Sequence, residues 1–497
     1  MRRSVIVAVL AALTTCGARG AAQEPIDSSV AHFYALRGGQ PAWVFGNGIS
    51  REGIFLLDVI AQSDRDGLEP DEYFTPAIAA LLQRDLSQDD AWRLDSLLTS
   101  SFLSYARDLS RGQVDPAAVD TQWTASGRDL DLVALLSGAA DEGDVTGFFQ
   151  AIEPQESGYR ALRAALQRYR DIAERGGWPA ALRKRLAAEG YDTSAGVPAA
   201  VRQFQRLHGL VPDGIVGPLT REELEVTPAA RAGQIAVNLE RWRWLPRKLG
   251  ERYIVVNSAA FTLELVDHDS VAWTTRAIVG RPDWPTPIVS SVVTGLSFRP
   301  VWKVPRIIAA REILPLIQRN PSYLRRQKFR VYSDSLGELR GVELDAAMID
   351  WSAVSESTFV YQLVQDPGGA NPLGGVKLIF RNPFSVFIHD TPTRGLFSEL
   401  WRTFSHGCVR VEHAEQLVAL LLPAWSADSI HNAMTRGRGG ERSVRLPQPV
   451  AVHLVYWTAW AADDGLVAFS GDPYGWDEEL AHALANRNAQ ITMKGHE

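Results

Sequence analysis

The sequence predicts a multidomain α+β protein: a helical N-terminal domain, a small three-helix domain, then a β-rich domain interrupted by a helical insertion. Three observations carry that reading. Leu94, Leu97, Leu98, Phe102, Tyr105, Ala106 and Leu109 recur at three- and four-residue spacing, which marks a long amphipathic helix. A compact stretch between Trp178 and Val226 holds helical segments around an Asp-Gly turn. From Tyr253 the pattern changes to alternation with period 2, a strand pattern. With 497 residues, 46% of them apolar and 22% charged, the chain can bury several cores, and its length suggests about three domains.

Arg2 and Arg3 precede about ten apolar residues and then the small residues Ala18, Gly20, Ala21 and Ala22, the pattern of a secretory signal over residues 1–22. Leu13-Thr14-Thr15-Cys16 is similar to a bacterial lipoprotein box with an atypical Thr before the cysteine, so lipid attachment at Cys16 is the alternative to simple cleavage. No apolar run reaches the ~18 residues of a membrane span, and a soluble mature protein is expected. Lys and Arg number 51 against 58 Asp and Glu; the net charge of -7 leaves no basic footprint for nucleic acid.

Residues 23–176 read as the helical domain. Asp64-Arg65-Asp66-Gly67 lacks the later acidic positions of a calcium loop and is read as a turn. In residues 177–226, Val201, Phe204 and His208 share a helix face that Gly209 ends, and Thr220 to Glu223 is read as a capping box opening the next helix. His208 is expected to be a packed residue. The stretch PAAVRQFQRLHGLVPDGIVGPLTREEL resembles the three-helix peptidoglycan-binding domain. A linker helix is expected within 227–250, around Gln234 to Trp244.

Strands are expected at Tyr253–Asn257, Phe261–Val266 and Ala272–Val279, consecutive and antiparallel. Charged, helical sequence from 306 to 354 is read as an insertion, with sheet pattern resuming at Tyr361 and at Val376–Phe380. The β-rich domain is placed at 251–440, and 441–497 as a C-terminal segment packing on it or on the helical domain.

Cys16 and Cys408 are the only cysteines, so a chain cleaved after residue 22 holds a single thiol and no internal disulfide. His389 stands at the end of a strand read over Phe384–Ile388, and Cys408, nineteen residues later, lies in Ser405-His406-Gly407-Cys408-Val409-Arg410, read as a loop leading into a helix. A free thiol is only a few per cent thiolate at neutral pH, and a neighbouring imidazole can take its proton. Gly407 allows close backbone approach, so its N–H and that of Cys408 are candidate oxyanion donors.

His389-Asp390-Thr391 followed by Ser405-His406-Gly407-Cys408-Val409-Arg410 resembles the signature of the L,D-transpeptidase family with the YkuD-type catalytic domain. Val279-Gly280-Arg281-Pro282, Thr286-Pro287, Pro300 to Pro305 and Val455 to Trp460 resemble its long Gram-negative subgroup, which joins a scaffold, a peptidoglycan-binding domain and a catalytic domain with a capping insertion. The resemblance implies a periplasmic enzyme that acts on peptidoglycan stem peptides and glycan and uses no metal or organic cofactor. Cys408 would attack the carbonyl on the L-centre of diaminopimelate in a tetrapeptide, release D-Ala and pass the acyl group to an amine of a second stem. His389 is the expected base; Ser405, His406, Gly407 and Asp390 are supporting residues, Asp390 through its backbone. Arg410, Trp302 and Thr391 are candidate substrate contacts, with core packing the alternative for Trp302 and for Trp425. Water or a lipoprotein lysine as acceptor, a non-catalytic wall-binding scaffold, further cell-wall enzymes as partners and the oligomeric state stay open. A papain-like peptidase is disfavoured because its cysteine precedes its histidine.

Overall fold

A computed structural model describes residues 28–46, 48–124, 130–333, 341–436, 440–462 and 465–494. The expected signal at 1–22 and Cys16 lie outside the described residues. The chain divides into two units, one of residues 1–249 with 456–497 and one of residues 250–455.

The first unit is helical. Its longest described core helix, Gln88–Arg111, starts at Ser87, whose hydroxyl accepts the Asp90 N–H at 3.1 Å. Leu94, Leu98, Phe102, Tyr105, Ala106 and Leu109 are buried along one face of it. The Asp-Gly segment is a 3₁₀ turn, Ser63–Asp66, ended by Gly67 at φ 71°. Helices Leu182–Glu189, Val197–Leu207 and Pro218–Glu225 make the three-helix part. His208 stacks on Phe204 with ring centroids 3.7 Å apart, and burial drives its pKa down to about 3, so it is a neutral packing residue. The capping box is a correction. The helix already begins at Pro218, and the buried Thr220 hydroxyl accepts from Gln205 Nε2 at 3.1 Å instead of capping.

The expected linker helix is Pro228–Arg243. Residues from Tyr456 onward return to it: Trp242 stacks on Trp457 at 4.3 Å, and Asn238 accepts the Thr458 N–H at 3.0 Å. Among the described residues no helix is long and apolar enough to cross a membrane.

The second unit is β-rich with a helical capping insertion. Its strands are β1 (Arg252–Asn257), β2 (Thr262–Asp267), β3 (Ser270–Gly280), β4 (Val289–Phe298), β5 (Trp302–Lys303), β6 (Phe329–Ser333), β7 (Glu343–Leu344), β8 (Tyr361–Gln365), β9 (Val376–Phe380), β10 (Ile388–His389), β11 (Thr403–Ser405), β12 (Val409–Val411) and β13 (Arg442–Val455). Nine of them form a sheet in the order β11-β3-β12-β10-β9-β4-β13-β1-β2, and β2 also pairs with β3. As the alternation predicts, β1, β2 and β3 pair antiparallel in sequence. Val376, Leu378, Ile388, Val409 and Val411 point to a core shared with Leu417 and Val418 of the helix Ala414–Leu421.

The β-rich domain was expected to end at 440, yet β13 lies in the middle of this sheet. Pro447 and Pro449 obscure it in the sequence, and the structure tolerates them where the β13–β4 register shifts between Arg445 and Val450.

The insertion opens with helical turns Arg306–Ile308, Ala309–Ile313 and Leu314–Arg319, the middle one a π-turn. Pro315 has no N–H to give the preceding turn, which accounts for the widening. The insertion also has a sheet, β5-β8-β6-β7, and a core running from Val304 to Leu363. It therefore exceeds the expected 306–354, and Tyr361–Gln365, read as the return of the main sheet, belongs to it.

Candidate active site

β10 and β12 pair in parallel, with Ile388 opposite Val409 and His389 opposite Arg410. Cys408 directly precedes β12, and the Val409 N–H donates to the Phe387 carbonyl at 2.8 Å. This places the cysteine two residues before Arg410, the register partner of the histidine. The histidine strand is shorter than expected because Asn382 holds the turn before it, accepting the N–H groups of Phe384 at 3.1 Å and Val386 at 3.0 Å. After Cys408 a strand, not a helix, comes first; Val409–Val411 pairs on both edges before the helix begins.

His389 is 4% exposed, and its Nδ1 lies 2.5 Å from the Asp390 backbone carbonyl. A carbonyl only accepts, so Nδ1 carries the proton and Nε2 holds the free lone pair. Burial, then the charge of Arg410, push its pKa down to about 3, and the imidazole is neutral at pH 7. Cys408 is a half-buried free thiol. Burial raises its pKa, against the opposing pull of a Phe387 backbone hydrogen bond and the charges of Arg410 and Lys377. A neutral thiol beside a neutral base is suited to proton transfer during attack.

Backbone contacts fix the cysteine loop. Gly407 has φ 96°, and a Cβ there would meet the Pro285 carbonyl at 3.3 Å. Its carbonyl accepts from Thr286 Oγ1 at 2.9 Å, and the same hydroxyl accepts the Gly280 N–H at 2.9 Å. Ser405 is buried and its hydroxyl donates to the Cys408 carbonyl. His406 turns to the insertion: its Nε2 is 2.6 Å from Glu312 Oε1, and its ring stands edge-on to Trp284. The Asp390 carboxylate accepts the Gly375 N–H at 2.8 Å and pairs with Arg394.

Among the expected substrate contacts, Arg410 lies beside His389, with its Nε buried and unpartnered among the described residues. Thr391 is a correction. It is 1% exposed and its hydroxyl accepts the Thr393 N–H, so it holds the turn after β10. Trp302 packs in the insertion's core near Phe329, which is the packing alternative. Trp425 stacks on Phe298 with ring planes 9° apart. Sequence reasoning missed Lys377 and Glu312, and it gave Thr286 no role. Alternation in Val376–Phe380 puts Lys377 on the face opposite the core, and that was its only signal. Among the described residues no group of three or more His, Cys, Asp or Glu side chains is placed to hold a metal ion.

Family profiles match this architecture: a scaffold domain at residues 28–166, a peptidoglycan-binding domain at 179–224 and the YkuD L,D-transpeptidase catalytic domain at 251–431. Residues 251–431 are a YkuD-type L,D-transpeptidase catalytic domain. With the scaffold and peptidoglycan-binding domains they make up the domain set of the multidomain L,D-transpeptidases. A Haemophilus influenzae protein named as a candidate L,D-transpeptidase is 28% identical over 255 residues, 51% of this chain and 50% of that protein. The chain thus matches about half the length of this curated relative. Among solved structures, an L,D-transpeptidase from Mycobacterium smegmatis covers 41% of this chain and 58% of its own, at 14% identity and a TM-score of 0.20. One in complex with imipenem covers 41% and 59%, at 14% identity and a TM-score of 0.18.

Proposed function

We propose that the protein is a cysteine-dependent L,D-transpeptidase that cross-links peptidoglycan stem peptides in the periplasm, exported by its first 22 residues. The observation that supports this most is the placing of Cys408 directly before β12 and of His389 in β10, its parallel neighbour, with the histidine's Nδ1 engaged by the Asp390 carbonyl. His389 Nε2 takes the thiol proton as Cys408 Sγ attacks the carbonyl carbon on the L-centre of diaminopimelate. The tetrahedral oxyanion, stabilised by the Gly407 and Cys408 N–H groups, collapses. The C–N bond to D-Ala breaks, and His389 returns the proton to the leaving amine. An amine of a second stem then attacks the thioester, gives its proton to His389 and releases the thiolate, which is reprotonated. One amide is exchanged for another, with no net redox change or hydrolysis. The peptidoglycan-binding domain keeps the enzyme on its polymeric substrate.

The test is to incubate the mature protein with disaccharide-tetrapeptide and identify products by mass. Release of D-Ala with a cross-linked dimer is expected. Release without dimer makes the acceptor water. A carbapenem should add its mass once per chain, and labelling that persists in Cys408→Ala would reject the nucleophile.

A further inference from the structure

Cross-strand register places three side chains in a row on one face of the sheet. Lys377 on β9 is the partner of His389 on β10, which is the partner of Arg410 on β12. Directly paired residues share a face, and neighbours Val376, Leu378, Val409 and Val411 point the other way into the core. The imidazole is therefore bracketed by two cations on strands about 10 Å apart, two strand spacings, a gap that Lys and Arg stems can span.

Neither cation is neutralised at hydrogen-bonding distance. The Lys377 ammonium lies over the Phe387 ring, 4.7 Å from its centroid, and 3.8 Å from Glu441 Oε1, beyond hydrogen-bond reach. Glu441 itself accepts from Ser297. Arg410 Nε is buried and has no hydrogen-bond partner among the described residues. The charged groups that act on His389 are Arg410 and Lys377, and the same two act on Cys408; no carboxylate is among them. A half-buried site with two such cations attracts an anion, and the planar guanidinium fork suits a carboxylate.

We propose that Lys377 and Arg410 form a carboxylate-binding subsite that brackets His389 and holds a free carboxylate of the acyl donor. The inference rests on the transpeptidase reading for its ligand, a stem tetrapeptide. Of such a donor's three free carboxylates, the two that flank the scissile bond are the candidates, the one on the D-centre of diaminopimelate and the C-terminal one of D-Ala; that of the γ-linked D-Glu lies farther away. Lys377 is in this scheme a positioning and specificity residue; bond-making stays with Cys408 and His389.

Calorimetric titration of full-length Cys408→Ala protein with disaccharide-tetrapeptide tests the subsite apart from turnover. Adding Lys377→Met should weaken binding roughly tenfold or more, the scale of a lost charge-assisted contact, and Lys377→Arg should stay within about threefold. Donors amidated at one carboxylate or the other identify the group. The amide that reproduces the loss with Lys377 intact, and binds Lys377→Met equally, marks the carboxylate held. Thermal melts of each variant check folding. Unchanged affinity in Lys377→Met overturns the proposal, and so does an equal loss for both amides and the free acid, or no binding of the free acid at millimolar concentration. Binding of the free acid with no D-Ala release by the wild-type chain overturns the transpeptidase reading and leaves the subsite standing.

Discussion

His406 Nε2 and Glu312 Oε1 lie 2.6 Å apart, joining the cysteine loop to the π-turn of the insertion. Arg281 approaches the same carboxylate at 3.4 Å. The histidine two residues before the nucleophile thus ties the loop to the insertion. Glu312 is 44% exposed, so water screens the pair and its strength is modest. Glu312→Ala should raise backbone hydrogen exchange across 306–319 while changing acylation by a small β-lactam by about fivefold or less. Unaltered exchange there would show that the contact does not hold the insertion.

The same geometry separates the roles of the two histidines. His389 has its Nδ1 bonded to a backbone carbonyl and its ring fixed on a paired strand; His406 is committed to Glu312. His389→Ala should lower acylation by ~100-fold or more, the scale of a lost general base. His406→Ala should retain appreciable activity. Stopped-flow acylation with a chromogenic β-lactam measures both, and a larger loss in His406→Ala would reverse the assignment.

pH dependence follows from burial at both partners. The imidazole is held neutral down to about 3 and the thiol is pushed up, so the resting pair is uncharged at neutral pH. Alkylation of Cys408 by iodoacetamide should climb about tenfold per pH unit between roughly pH 6 and 8, because the thiolate fraction limits it. A plateau across that range would indicate a preformed thiolate–imidazolium pair. Stability has the opposite limb. The unfolded histidine protonates near pH 6.5 while the folded one resists until about 3, so its contribution is complete above ~6.5 and declines as pH falls toward 3. Tm measured across that range should fall on the acid side.

What was legible in the sequence was whatever local chemistry dictates. The period of Leu94 to Leu109 required a helix, the alternation from Tyr253 required strands, and the fixed order His389 then Cys408 marked the site. Pairing partners were not legible. Period-2 alternation at Tyr361–Gln365 is the same whether the strand joins the main sheet or the insertion's sheet, and only its pairing with Trp302–Lys303 and Phe329–Ser333 decides. Thr220 had the spacing of a cap, and Gln205, fifteen residues earlier, took its hydroxyl. Beyond the alternation of its strand Lys377 carries no local signal of its own, and only the register sets it beside His389.

The insertion's own core tells how to remove it. Cutting at 306 and 354 would expose Val304, Phe359 and Leu363, all at most 1% exposed, and any loss of activity would then reflect a damaged core. Lys303 and Val364 are direct antiparallel partners at the insertion's base. Replacing 304–363 by Asn-Gly closes that pair as a two-residue hairpin and removes the insertion's core as a unit. The nine-stranded sheet draws none of its strands from that segment and should stay folded, shown by a single cooperative melt. Small β-lactams need little positioning and should acylate Cys408 within about tenfold of the full chain. Disaccharide-tetrapeptide is larger and, if the insertion tied to the cysteine loop through Glu312 positions it, should lose up to ~100-fold in D-Ala release, the cost of misplacing a bound substrate by about 1 Å. Undiminished release from the natural stem after this excision would remove the insertion from the catalytic cycle.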